Sequence, residues 1–177
     1  MVDKKKTLIE IDEREEPDSK IRTFILFTQT TREVVKYVDA HLYREAGSSA
    51  TQLIVLQALT HNDGMMTPSA ISAWTQTERH NITTLIRRMK KAGLITFERN
   101  SRNRKTVNVI ITDKGREALE QMMLVAHKIV DRVMMSINEN DAVLLEKLLK
   151  LMRQNAHSGL EQIDNNPLTR QKYLRTS

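Results

Sequence analysis

The sequence predicts a mainly α-helical protein with one small β-hairpin, an α+β arrangement in which a compact helical unit and its hairpin are flanked by long helices. Three observations predict it. Apolar residues recur at three- and four-residue spacing along most of the chain, the pattern of helices that pack by one face. That pattern switches once, at Leu94–Arg99 and Thr106–Thr112, to two short β-rich runs separated by turn formers and cations. Positive charge is also concentrated: Arg79 to Lys105 holds nine Lys and Arg against Glu98 alone, whereas the whole 177-residue chain is only +6. The rest of the chain is therefore net acidic, and the cationic window is a local feature of the kind a polyanion binder carries.

Residues 1–18 read as a flexible charged arm, because their mixed Lys, Asp and Glu can bury little surface before Pro17. Lys4, Lys5 and Lys6 are cations that phosphates can meet, although a solvated tail is the plainer reading. Asp18 or Ser19 can cap the first helix, which occupies residues 19–46 and runs to about Arg44 before the Ala46–Ser49 break. Its pattern has two apolar faces. Ile21, Phe24, Ile25, Thr28, Thr31, Val35, Val38 and Leu42 form one stripe, while Phe27, Val34 and His41 begin a second. One stripe suffices to dock a helix on its own domain, so the second predicts a further covering surface, such as another subunit.

Residues 47–113 carry the central unit. Ser48 or Ser49 caps a helix with Leu53, Leu56 and Leu59 inward, closed by Asn62-Asp63-Gly64. Thr67-Pro68 starts a short helix through about Trp74, with Pro where its missing N–H costs nothing. After the turn Thr75-Gln76-Thr77, with Thr77 expected as cap, comes the helix 78–91. There Ile82, Leu85, Ile86 and Met89 make one apolar stripe, and His80, Thr84, Arg87 and Lys91 lie opposite it, flanked by Thr83 and Arg88. Two short helices joined by a tight turn, the second offering a polar face, make a helix-turn-helix. Gly93 ends the second helix, and the two strands follow, with Val107, Val109 and Ile111 inward and Asn108 outward. Their connection, residues 100–105, is a tip of turn formers and cations. A hairpin directly behind a helix-turn-helix is a wing.

Residues 114–160 hold two more helices. Thr112 caps the first, which carries Leu119, Met122, Ala126, Ile129 and Val133 on one stripe. Asn138–Asp141 interrupts it. In the next, Leu144, Leu145, Leu148, Leu149, Leu151 and Met152 take up more than half the circumference. Both ends of the chain thus have more apolar surface than one domain covers, which predicts a dimer built from the first helix and the last two. Residues 161–177 read as a mobile polar tail.

Composition excludes several classes. Without cysteine there are no disulfides, thiolate metal sites or thiol redox sensors. No run approaches a membrane span, and the N-terminal residues lack the apolar stretch of a signal peptide, so a cytoplasmic location without membrane contact is expected. His41, His61, His80, His127 and His157 show no metal-binding spacing, and the methionine pairs are ordinary core filler. Neither a nucleophile elbow, nor a P-loop, nor a paired-carboxylate signature appears; the reading is no enzyme, no metal and no cofactor.

From about Ser48 to Leu119 the chain resembles the MarR family of winged helix-turn-helix transcriptional regulators. The resemblance rests on Thr67-Pro68-Ser69-Ala70-Ile71-Ser72, the helix from Arg79 to Arg88, the junction Met89 to Ile95, the basic wing, and Ile111-Thr112-Asp113-Lys114-Gly115. It departs at the wing, where the family's Asp-Arg-Arg is replaced by Asn103-Arg104-Lys105, and at Trp74-Thr75 and Thr77, where Leu is common. The long flanking helices are similar to that family's dimerisation region. The resemblance implies a homodimeric regulator of double-stranded DNA, a repressor on a pseudo-palindromic operator. It also implies a small-molecule effector pocket, for which Phe24, Phe27, Tyr37, His41 and Trp74 are candidates as well as plain core.

In such a dimer the N-terminal half of helix 78–91 reaches base edges in the major groove. The candidate base readers are Arg79, His80, Asn81, Thr83, Thr84 and Arg87, since Arg can bridge guanine O6 and N7, Asn can bridge adenine N6 and N7, and Thr methyls suit thymine. Ser69, Arg88, Lys90 and Lys91 are the candidate phosphate contacts, which fix register without reading sequence. Arg102, Asn103, Arg104 and Lys105 form the wing, with Arg104 in or beside the minor groove. Two rival readings use the same basic face: an architectural, nucleoid-type DNA binder with little sequence preference, and a protein-interaction module for an acidic partner.

Overall fold

The computed structural model describes residues 18–99 and 107–164. The N-terminal Lys run, the wing residues Arg102, Asn103, Arg104 and Lys105, and the tail from residue 165 lie outside the described residues. Contacts divide the chain into two units, Met1–Val133 and Met134–Ser177.

In the first unit, α1 (Ser19–Ala46) begins at Asp18, whose Oδ1 accepts the Lys20 and Ile21 N–H groups at 2.7 and 3.2 Å. It closes at Gly47, which adopts φ +59 and donates back to the helix end. Only part of its apolar stripe is covered in the single chain. Ile25 and Leu42 are fully buried and Val38 packs on the core, but Ile21, Phe24 and Val35 are exposed, as is Leu26 outside the stripe.

Helix α2 (Ala50–His61) starts with a complete capping box: Gln52 N–H donates to Ser49 Oγ, and Ser49 N–H donates to Gln52 Oε1 at 2.9 Å. Asp39 of α1 adds a second anchor by accepting the Ala50 N–H at 2.8 Å. Of the two serines, Ser49 is therefore the cap. With Leu53, Val55, Leu56, Ala58 and Leu59 buried, α2 is the central pillar of the core. Ser49→Ala should cost about 1 kcal/mol, read as a lower denaturant midpoint at unchanged m-value, because Asp39 still holds one of the first amides.

Asp63 (φ 54) and Gly64 (φ 82) turn the chain into a strand absent from the expectation, β1 (Met65–Met66). After α3 (Pro68–Thr75) and α4 (Arg79–Lys91) come β2 (Ile95–Arg99) and β3 (Val107–Ile111). The sheet is antiparallel in the order β1-β3-β2, with Ile95 opposite Ile111, Arg99 opposite Val107, and Met66 opposite Val109. Val109 and Ile111 point into the core as expected, whereas Val107 is exposed, since it stands at the outer end of the hairpin. Helix α5 (Asp113–Met134) is capped by Thr112, whose Oγ1 accepts the Gly115 N–H at 3.0 Å. It buries Met122, Val125 and Ile129. Leu119 and Ala126 are half-buried, and Val133, assigned to the same stripe, is exposed near the helix end.

In the second unit Asn138 caps α6 (Glu139–Asp164), accepting the Asp141 N–H at 3.0 Å. The helix continues to Asp164, past the expected start of the tail at residue 161. Leu144, Leu145, Leu148, Leu149 and Leu151 are exposed in the single chain.

Candidate nucleic-acid interface

The site is built on α3 and α4. Thr67 Oγ1 accepts the Ala70 N–H at 3.2 Å and Pro68 fills the first helical position, so α3 starts where the sequence places it. Its end is fixed by Gln76, a non-glycine residue at φ 51, and by two bonds across the turn: Ser72 Oγ donates to the Thr77 carbonyl at 2.6 Å and Thr77 N–H to the Ser72 carbonyl at 3.1 Å. These bonds hold the left-handed residue that sets the angle between α3 and α4. Thr77 does not cap α4. Its hydroxyl is turned back to the Thr75 carbonyl at 3.2 Å, and Glu78 stands at the N-cap position without a side-chain cap bond, so the helix begins one residue later than the expected 78–91.

Ile82 and Met89 of α4 are fully buried and Ile86 nearly so, with Leu85 packed beside them. That stripe fixes the rotation of the helix about its axis and thereby decides what faces out. Arg79, His80, Asn81, Thr84, Arg87, Arg88, Lys90 and Lys91 are all exposed. Thr83 is half-buried and its hydroxyl donates to the Arg79 carbonyl at 2.8 Å, leaving its methyl as the part suited to a base edge. Ser69, on α3, is exposed and shares a hydrogen bond with Thr67 at 3.1 Å.

Among the described residues none of Arg79, Arg87, Arg88 and Lys91 forms a salt bridge. Among the described residues, then, no ion pair neutralises their charge. Lys90 differs from the other proposed phosphate contacts, since its ammonium lies 4.7 Å from the centre of the Phe97 ring, a cation–π contact to β2. Arg88, Lys90 and Lys91 occupy the last turn, where cations also complement the helix dipole.

The MarR family profile matches residues 46–105. Over that segment the chain is similar to the MarR family. The matched segment starts at the end of α1 and ends in the wing, so it contains both helices of the interface. Among curated proteins none matches this chain. Solved structures share the MarR-type fold over a longer stretch. The organohalide-sensing transcriptional regulator RdhR-CbdbA1625, in its 2,4-dichlorophenol-bound form, is 21% identical over 82% of this chain and 85% of its own, with a TM-score of 0.72. AbsC, a MarR family transcriptional regulator from Streptomyces coelicolor, is 19% identical over 81% and 97%, with a TM-score of 0.73. Sco3205, a MarR family regulator from the same organism solved in complex with DNA, is 14% identical over 80% and 94%, with a TM-score of 0.73. At these identities the likeness is one of fold.

Of the five residues named for an effector pocket, Tyr37 borders a cleft among the described residues, a shallow one of about 330 Å³ between α1 and α5 that Glu33, Val34, Arg132 and Val133 also line. Phe24, Phe27, His41 and Trp74 do not line it; His41 stacks on Tyr37 with ring centres 4.2 Å apart, and Phe24 and Trp74 are 46% and 45% exposed. Aromatic residues spaced along a long helix carry no signal that separates cavity wall from surface. Among the described residues no group of His, Asp and Glu could hold a metal ion, and no helix is long and apolar enough to cross a membrane.

Proposed function

We propose that the protein is a homodimeric transcriptional regulator that reads a pseudo-palindromic DNA operator with α4 of each protomer and acts as a repressor. The carrying observation is the pairing of a buried stripe, Ile82, Ile86 and Met89, with an outward face of hydrogen-bonding side chains and cations that form no ion pair among the described residues. A helix seated by that stripe, with Arg79, His80, Asn81, Thr83, Thr84 and Arg87 outward, has the donors and acceptors that base edges require, and in this reading Ser69, Arg88 and Lys91 meet the flanking phosphates. Lys90 serves the same role once it leaves Phe97. Arg102, Arg104 and Lys105, with Asn103, supply the wing contact. The fold shared with Sco3205, solved with DNA, supports the reading.

The second protomer is supported by apolar surface left open on α1 (Ile21, Phe24, Leu26, Val35), on α5 (Leu124, Val130, Val133) and on α6. Two copies of α4 related by a two-fold axis match half-sites about one helical turn, roughly 10 bp, apart. A dimer seated there excludes polymerase from an overlapping promoter, which makes repression the expected outcome. The cleft at Tyr37, with Glu33 and Arg132 in its lining, is the candidate effector site, in line with the 2,4-dichlorophenol form of RdhR-CbdbA1625.

The test is selection of duplexes from a random pool followed by titration of the selected and a scrambled duplex. Two protomers per selected duplex, a preference of at least about 1,000-fold over the scramble, and a linear fall of log K with log salt are expected. Equal affinity for both duplexes would establish the architectural reading instead, and no DNA binding at low salt would leave an acidic protein partner.

A further inference from the structure

The C-terminus of α4 is closed from outside the helix. Within the segment, Ala92 N–H donates to the Arg88 carbonyl at 2.9 Å, Gly93 N–H to Lys90 at 2.9 Å and Leu94 N–H to Met89 at 3.0 Å, as Gly93 turns the chain at φ +78. The next three carbonyls all accept from the start of α5. Leu94 accepts the Thr112 N–H at 3.1 Å, Gly93 accepts Thr112 Oγ1 at 2.7 Å, and Ala92 accepts Lys114 Nζ at 2.8 Å. Carbonyls beyond a helix end point away from it and carry its negative partial charge, so an ammonium there is both a hydrogen-bond partner and a dipole partner. Lys114 meets this need from 22 residues away, with its stem beside Gly93. Its ammonium nevertheless stands at the end of a helix whose last turn already carries Arg88, Lys90 and Lys91, an arrangement that like-charge repulsion opposes. The carbonyl bond is what offsets that repulsion.

We propose that Lys114 is a positioning residue for DNA recognition: by capping α4 from the first turn of α5, it fixes the axial position of the base-reading helix and ties that position to α5. This rests on the proposed DNA-reading function of α4. Because Lys114 is exposed and basic, the competing role is a plain phosphate contact, and the two differ in what they do to specificity.

The experiment compares the full chain with Lys114→Met, which keeps the stem but loses the donor and the charge, and with Lys114→Arg, which restores both. Hydrogen exchange, without DNA, should quicken at the Ala92, Gly93 and Leu94 amides in Lys114→Met and return towards wild type in Lys114→Arg. Affinity for a duplex selected by the wild-type protein should fall roughly fivefold in Lys114→Met, the worth of one net hydrogen bond, with affinity for a scrambled duplex and the salt slope unchanged. Unchanged exchange overturns the capping role. Equal weakening on both duplexes, with the salt slope reduced by about 1, overturns positioning in favour of a phosphate contact. If the wild-type chain prefers no duplex, the DNA-reading function fails and the positioning role falls with it, whereas the exchange result still judges the cap by itself.

Discussion

Replacing Gly115 by alanine is expected to destabilise the chain by about 3 kcal/mol or more, seen as a fall in thermal midpoint of about 10 °C. A Cβ built on Gly115 would lie 2.1 Å from the Leu94 carbonyl oxygen and 2.9 Å from Ile111 Cγ1. The first of these neighbours is backbone and cannot rotate away. Leu94 is also held at that spot, because its carbonyl accepts the Thr112 N–H and its own N–H closes α4 on Met89. Relief would have to separate α5 from the α4–β2 junction, breaking the Thr112 and Lys114 bonds with it. The same substitution at Gly159 is the control. That residue lies within α6 with nothing inside 4 Å of a new Cβ, so alanine should be neutral or stabilising by up to about 1 kcal/mol. Equal midpoints for the two variants would show that the junction at Gly115 is looser than its geometry states.

The contrast between these two glycines also marks what the sequence makes legible. Features decided within four residues were readable: Asp18, Ser49, Thr67 and Thr112 cap their helices because a side-chain oxygen reaches an amide two or three residues on. The stripe of α4 was equally plain, since Ile82, Ile86 and Met89 repeat at helical spacing. Features decided by a distant partner were not. Met65–Met66 is too short to show a period and becomes a strand only through β3. Thr77 has the composition of a cap, yet the tight turn at Gln76 directs its hydroxyl to Thr75 instead. Nothing in the local pattern separates Lys114, which closes another helix, from the solvated lysines around it. Lys90 likewise reads as a free cation until the fold sets Phe97 beneath it.

Arg87→Ala is expected to weaken binding to the selected duplex by roughly 1–3 kcal/mol, about tenfold to a hundredfold, while changing affinity for a scrambled duplex far less. The expectation follows from where the core stripe puts this residue. Ile86 is buried, so its successor is turned outward, and Arg87 shares that outward face with Thr84 one turn before it and Lys91 one turn after. It forms no salt bridge among the described residues, so no ion pair there would have to break for its guanidinium to meet a DNA partner. Arg87→Lys separates charge from shape. Lysine keeps the positive charge and the reach but lacks the planar fork that spans guanine O6 and N7. If Arg87 reads a base, the lysine variant should retain scrambled-duplex affinity and the wild-type salt slope yet lose most of the preference for the selected sequence. Should lysine restore that preference in full, Arg87 holds a phosphate, and base reading by α4 then rests on Arg79, His80, Asn81 and Thr84 nearer the helix start.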